Sequence, residues 1–246
     1  MIVSAHQTHY WPYPGFFKKI MMSDLYILMG RLQFNKQSWQ NRNRVMNQNT
    51  PGWLTVPVLT RHLNLQMINQ VAINNDNDWK RKHFKSVELN YHNTPYYSQL
   101  REFLSELWLV REWDSLWDLN RYIIDYLILK LCISTPVKTD EDYLFQGSKT
   151  ELLVSIVKQT GAGAYLSSPN AAAYIKPDVF KSHGIRHFYL LYQSPVYGSG
   201  KTPFFPDLSI LDMICWLGFE GTRRYLRSDH AYFQDISRWW VVEQGK

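Results

Sequence analysis

His6 and Gln7 stand side by side directly after a short apolar run, Ile2-Val3-Ser4-Ala5, and just before a stretch broken by Pro12, Pro14 and Gly15. An imidazole titrates near neutral pH, so His6 is a candidate general base or acid; a histidine at this place could equally tie down the turn. Gln7 offers both a donor and an acceptor with which to orient a substrate. His9 is offset from this pair and is expected to face elsewhere. His62, His83, His92, His183, His187 and His230 are isolated in the sequence and read as surface or structural residues. No HxH or HExxH spacing gathers histidines, so neither a metal nor another cofactor is expected.

Three further stretches carry polar chemistry. The segment from Gln33 to Arg44 is rich in amides and cations, and Lys36, Arg42 and Arg44 could clamp a phosphate or carboxylate or form a solvated basic loop. Gly147-Ser148-Lys149-Thr150 opens a helical pattern, where free amides and the helix dipole favour an anion near Lys149 and Thr150. The same stretch is a capping box, with Ser148 as N-cap and Glu151 reaching back, and it lacks the spaced GxxxxGK of a phosphate loop. Ser167 and Ser168 end another apolar run, and Asp212 lies on an apolar helix beside Ser209, as a cap, a buttress or a buried acid. No GxSxG, GxGxxG or paired-carboxylate motif occurs.

These residues need a scaffold that gathers them. Residues 2–5, a helix from Phe16 and a second apolar run, Leu25 to Met29, spell a βαβ unit with parallel strands. Trp53 to Val58 reads as an edge strand because of Pro57, with Gln70 to Ile73 a short strand antiparallel to it. The polar segment between Gln33 and Arg44 reads as a loop, and Asn49 to Gly52 as a turn. Residues 78–133 read as an all-helical insert or subdomain. The α/β alternation then resumes with Tyr143 to Phe145 as a strand, a helix from Ser148 stopped at Gly161, a strand at Ala164 to Ser167, a short helix at 178–183 and a last clear strand at Arg186 to Tyr192. An amphipathic helix spans Leu208 to Phe219. The expected fold is one α/β domain over residues 1–246, a mostly parallel, Rossmann-like sheet with flanking helices and the helical insert. His6-Gln7, the loop from Arg31 to Arg44, Lys149-Thr150 and Ser167-Ser168 then fall at the carboxyl ends of strands, where such sheets bind ligands.

Composition bounds the partner. The 246 residues carry a net charge of +6, 20% charged and 45% hydrophobic residues, with 10 Trp, 16 Tyr and 12 Phe. That abundance of rings suits an aromatic-walled cleft or simply a core built of large side chains. The positive balance favours an anionic partner, but the cations are scattered rather than clustered, which argues against dedicated sequence-specific DNA binding. Cys132 and Cys215 sit inside apolar helical patterns and are expected to be buried reduced thiols. With no apolar stretch long enough to span a bilayer and His6 interrupting the first one, a cytoplasmic location is expected.

The chain resembles the WbqC-like protein family. The family's opening pattern HQ-x-x-Y-x-P-x-x-GFF-x-KI matches His6, Gln7, Tyr10, Pro12, Gly15, Phe16, Phe17, Lys19 and Ile20, with Asp24 following. Its QF-x-K-x-x-W-x-NR pattern matches Gln33, Phe34, Lys36, Trp39, Asn41 and Arg42, and WLTVPV matches Trp53 to Val58. A GSKT-like helix start, a GA-x-x-YLS segment and F-x-P-x-LSILD fit Gly147 to Thr150, Gly161 to Ser167 and Phe204 to Asp212. The chain departs from the pattern at Gly30, ahead of the QF motif, where the family has an acid. It departs again at Ser168, where a glycine is usual, and at Ser199, where a glutamine is. The resemblance implies a role in bacterial surface-polysaccharide (O-antigen) assembly and, by the label some members carry, glycine or aminoacyl transfer to an amino sugar. His6 and Gln7 would be the catalytic pair, and Tyr10, Gln33, Lys36, Asn41, Arg42, Lys149, Thr150, Ser167, Ser168 and Asp212 the substrate-binding set. The partner would be a small anionic substrate, a nucleotide-linked sugar or an activated amino acid, with tRNA one candidate acyl donor. The rival reading is a non-catalytic nucleotide-sugar-binding or scaffold protein of the same pathway.

Overall fold

The computed structural model of the chain describes residues 1–60, 65–198, 204–228 and 232–235. β1 (Ile2–Gln7), α1 (Pro14–Met21) and β2 (Leu25–Met29) form the βαβ unit, with β1 and β2 parallel from Val3↔Leu25 to Gln7↔Met29. Pro14 opens α1 at a first-turn position, where its missing N–H breaks no bond. A hairpin of β3 (Arg42–Asn47) and β4 (Thr50–Thr55) follows. Next come α2 (Trp79–Tyr91), α3 (Ser98–Ser105) with a π turn over Glu106–Val110, and α4 (Leu116–Lys130). Ser115 caps α4 by accepting the Asp118 N–H. The alternation then runs β5 (Val137–Thr139), α5 (Lys149–Thr160), β6 (Ala164–Ser167), α6 (Pro177–Ser182), β7 (Arg186–Leu191), α7 (Ile210–Arg227) and β8 (Tyr232–Asp235).

The main sheet has the order β5-β2-β1-β6-β7-β8, all parallel except β8 at the edge, which gives the α/β class expected. From β1 the chain winds one way to β2 and β5, then returns and winds the other way through β6 to β7. Right-handed crossovers in opposite directions send their helices to opposite faces. Accordingly α1, α2, α3, α4 and α7 share one core with Tyr26 and Leu28, while α5 and α6 share another with Val3, Ala5 and Ile27. The winding reverses between β1 and β6.

Several expectations are corrected. Arg42–Asn47 is a strand, not a loop, and the hairpin turns at Gln48-Asn49, ahead of Pro51. Its inward side chains are Asn41, Asn43 and Val45, and amides do not announce a buried face. Tyr143 to Phe145 is no strand; β5 lies earlier, and the two rings stack at 4.7 Å in an extended loop that mimics strand alternation. β8 adds a strand beyond β7, and α7 continues to Arg227 past a kink at Gly218. Gln70 to Ile73 contributes only isolated bridges, among them the antiparallel Val58↔Ile73. Ser148 precedes α5 in extended conformation but its side chain makes no capping bond. Cys132 is exposed, just past α4, whereas Cys215 is buried as expected. Ser199 lies outside the described residues. No described helix is long and apolar enough to cross a membrane.

Candidate active site

In doubly wound sheets ligands sit at the carboxyl edge where strand order reverses, and here that is the gap between β1 and β6. The gap is real at the level of hydrogen bonds. β1 and β6 pair only through Ile2↔Ala164 and Val3↔Tyr165. Beyond Val3 the strands part, and the Ala5 N–H donates to the phenol oxygen of Tyr165 at 3.2 Å instead of to a strand carbonyl. The Ala5 carbonyl accepts from Lys19 Nζ, at 2.9 Å. A lysine from α1 therefore reaches down into the opening.

Alternation along β1 places Ser4 and His6 on the α1 side of the sheet. His6 pairs in register with Leu28 and packs edge-on against Phe16 at 5.6 Å. Its Nδ1 lies 2.9 Å from the Gln7 carbonyl, and since a carbonyl can only accept, Nδ1 carries the proton. Nε2 then holds a lone pair. Contrary to expectation, His9 does not face elsewhere: its ring stands edge to face with His6, centroids 4.7 Å apart. Two residues on, Trp11 adopts φ 46, a left-handed conformation that bulky side chains rarely take, buried against Phe103 and Trp108.

Three buried polar groups converge on this spot with little to bind. Both ring nitrogens of His9 and the hydroxyl of Tyr26 are buried and without a hydrogen-bond partner. Lys19, 3% exposed, makes its one hydrogen bond to Ala5. Burial lowers the Lys19 ammonium to about 7. Burial first, and the Lys19 charge second, hold His6 at about 4, and burial with the charges of His6 and Lys19 keeps His9 well below the usual imidazole range. At neutral pH both imidazoles are bases beside a lysine close to its midpoint. Orphaned polar atoms in a buried site of this kind are what an anionic or hydrogen-bonding ligand would satisfy. Tyr13 closes the opening from the β1 side, its phenol within reach of the Ser168 side chain on the β6 side. Gly15 leaves room for this: a Cβ there would stand 2.9 Å from the Tyr192 ring and would also strike Tyr13.

The other candidate residues divide by distance from this centre. Gln7 is held by Gln40, whose Nε2 donates to its side-chain oxygen at 2.7 Å, so β1 and the segment before β3 are stitched together. Asn41 is buried and donates to the Val56 carbonyl. Arg42 lies on the outer face of the β3–β4 hairpin, Lys36 is exposed, and Gln33 forms an isolated bridge with Met67. Tyr10 is fully buried, its hydroxyl accepting from Trp108 Nε1 and sharing a hydrogen bond with His83 Nδ1. Ser167 pairs with His187 Nε2 at 2.8 Å, on the α5 and α6 side, and both are buried. Thr150 is buried and accepts the Lys176 N–H. Lys149 is exposed at the start of α5, hence across the sheet from His6, although both mark its carboxyl edge. Asp212 is buried under α7 and accepts from the Tyr91 hydroxyl at 2.7 Å; Ser209, not Asp212, caps the helix. At the departure Gly30, the N–H groups of Gly30 and Arg31 are bound by the buried carboxylate of Asp140, at 3.0 and 2.8 Å. Among the described residues no three His, Cys, Asp or Glu side chains come together as a metal site.

The sequence model of the WbqC-like protein family matches residues 7–224, nearly the whole described fold. The chain belongs to that family. It is also 31% identical over 228 residues to the "Uncharacterized protein Rv1507c" of Mycobacterium tuberculosis (strain ATCC 25618 / H37Rv), covering 92% of this chain and 97% of that protein. No solved structure matches. This WbqC-like protein thus presents His6, immediately before the matched residues, together with two residues that the sequence reading did not place in the site. Lys19 is a motif lysine that turns out to be buried, and His9 is an off-pattern histidine that folds back. The signal that could have flagged Lys19 is its place on the apolar face of α1, one turn before Ser23 and next to Ile20.

Proposed function

We propose that this WbqC-like protein is a transferase of bacterial surface-polysaccharide or related assembly that attaches an aminoacyl or acyl group to an amine such as that of an amino sugar. The observation that carries the transfer chemistry is the cluster at the parted strands: a bare His6 Nε2, an unpartnered His9 and a desolvated Lys19 around one opening. In this reading His6 Nε2 takes the proton from the attacking amine, and the Lys19 ammonium faces the oxygen on which negative charge develops at the acyl carbonyl. The amide forms as the acyl bond to the donor's AMP, thiol or tRNA hydroxyl breaks, the proton passing from His6 to that leaving group or to water. Gln7, fixed by Gln40, orients the acceptor. The polysaccharide context is what family membership suggests, and the acyl donor, an activated amino acid as adenylate, thioester or tRNA ester, would in each form be anionic and suited to a chain of net charge +6.

The test pairs identification with mutation. Small molecules that copurify with the protein are identified by mass spectrometry, and acyl transfer to nucleotide-linked amino sugars is followed with wild type and His6→Ala. The reading expects turnover in wild type, its loss in His6→Ala and retained acceptor binding. Equal binding with no transfer by either protein across adenylate, thioester and tRNA donors would instead make this a binding protein of the pathway.

A further inference from the structure

On the outward face of the β3–β4 hairpin, four side chains lie in a row. The Arg42 guanidinium sits 4.2 Å above the Trp53 ring, Trp53 and Trp39 stand 5.3 Å apart at 44°, and the Arg44 guanidinium sits 5.8 Å over Trp39. Register explains the row: Arg44 pairs with Trp53 across the ladder, and Arg42 shares its face two residues away. The inward residues of the same strand, Asn43 and Val45, are buried, so the face is not a by-product of disorderly packing.

Two features of this row are unexpected for mere surface. Trp39 and Trp53 remain 38% and 47% exposed despite their size. The Nε atoms of Arg42 and Arg44 are both buried and unpartnered, and neither guanidinium has an ion pair among the described residues. Both guanidiniums, at the two ends of the row, thus lack a counter-charge among the described residues, and each cation–π contact contributes only about 0.5–1 kcal/mol at an exposed site. An anion with a flat ring would satisfy both the charges and the indoles. The site also connects to the parted strands, because Trp39 accepts the Tyr10 N–H through its carbonyl and the next residue, Gln40, holds Gln7.

We propose that this hairpin face binds the nucleoside diphosphate part of a substrate, the base stacking on the exposed indole surface and the pyrophosphate taken by Arg42 and Arg44. The two rings are too close to admit a base between them, which would need about 7 Å, twice an aromatic contact distance, so the base lies on their outer surface. Planar guanidiniums suit pyrophosphate because they present paired N–H groups. The inference deepens the transfer reading by giving its substrate a nucleotide handle, yet binding is measurable whether or not the protein catalyses anything.

Isothermal titration calorimetry of the full chain with UDP, ADP, inorganic pyrophosphate, uridine and a single-stranded RNA ending in CCA tests it. UDP or ADP is expected to bind, with pyrophosphate competing, and affinity is expected to fall at least tenfold in Arg42→Gln/Arg44→Gln and in Trp53→Ala. Arg42→Lys/Arg44→Lys, which keeps the charge and is confirmed as folded by its thermal transition, is expected to lose several-fold, because lysine cannot stack or present two parallel donors. His6→Ala should bind UDP or ADP as wild type does, which separates this inference from the catalytic one. No binding of either diphosphate, binding unchanged by both the arginine and the tryptophan substitutions, or binding of the RNA alone would overturn it.

Discussion

His9 stands edge to face against His6, ring centroids 4.7 Å apart, and neither nitrogen of His9 is hydrogen-bonded. A buried imidazole pair without a carboxylate to hold it resists protonation, and the nearby Lys19 charge strengthens that resistance. The two rings therefore enter any reaction as neutral groups.

A pH profile follows from these shifts. The rate constant kcat/KM reports the free enzyme, so a base at His6 should give a rising limb near pH 4, as its proton leaves. A cationic role for Lys19 should give a falling limb near pH 7, as its charge is lost. In Lys19→Met the falling limb should vanish along with most of the activity. A profile still rising through pH 8 would mean that Lys19 acts without its proton.

Lys19→Met should also change stability in a pH-dependent way. The folded pKa, about 7, lies below that of an unfolded lysine, so the unfolded chain holds more protons between pH 7 and about 10.4 and wild-type stability rises with pH across that window. The substitution removes this dependence. The Tm difference, Lys19→Met minus wild type, should thus be more positive at pH 6 than at pH 9, measured by thermal unfolding; an equal difference at both would contradict a desolvated lysine.

Acid should weaken the fold before the carboxylates titrate. His6 and His187 are held at about 4 and His83 at about 3, each chiefly by burial. The unfolded chain takes up these protons below about pH 6.5 and the folded one does not, so stability is lost as pH falls, by up to about 1.4 kcal/mol per pH unit for each histidine. Urea midpoints at pH 6.5 and 5.2 should differ clearly, and superimposable curves would count against it.

Asp212→Ala should destabilise by about 2 kcal/mol, because it strips the acceptor from a buried Tyr91 hydroxyl that also takes the Met46 N–H of β3. Asp212→Asn keeps an acceptor and should cost less. Chemical denaturation of the two variants separates them; equal losses would show that the charge, not the hydrogen bond, matters.

Gly30→Asp would place an acid just ahead of Gln33-Phe34, where the resemblance led one to be expected. Here its Cβ would stand 2.9 Å from the Trp117 ring, and it would add a second carboxylate to a residue whose backbone N–H is already bound by Asp140. The variant should unfold several degrees lower than wild type, whereas Gly30→Asp combined with Asp140→Asn should recover part of that loss.

Much of the scaffold was legible. Apolar runs bounded by Pro14 and Gly161 marked β1, α1, α5 and β6, whereas the order of the strands in the sheet, and with it the reversal between β1 and β6, is a matter of tertiary packing that the runs do not encode. Of the cluster at the parted strands, only His6 and Gln7 stood out in the sequence as candidates. Lys19 entered only as a motif residue, and a Lys-Lys pair on a short helix does not announce burial, yet both are buried, Lys18 donating to the carbonyls of Leu226 and Ser228. His9 meets His6 across a short irregular loop whose path, ending in a left-handed Trp11, no local preference would assign. The row on the hairpin escaped because β3 alternates arginine with asparagine, and the buried Asn43 finds its acceptor, the Trp11 carbonyl, far away in sequence.

The brevity of the β1–β6 ladder has a mechanical consequence. With two register pairs between β1 and β6, against five between β1 and β2, the left and right halves of the sheet meet along its thinnest spine among the parallel strands. Whatever lodges across that spine would clasp the halves together, and amides of Ala5 and Leu166 should then exchange with deuterium more slowly than in the free protein.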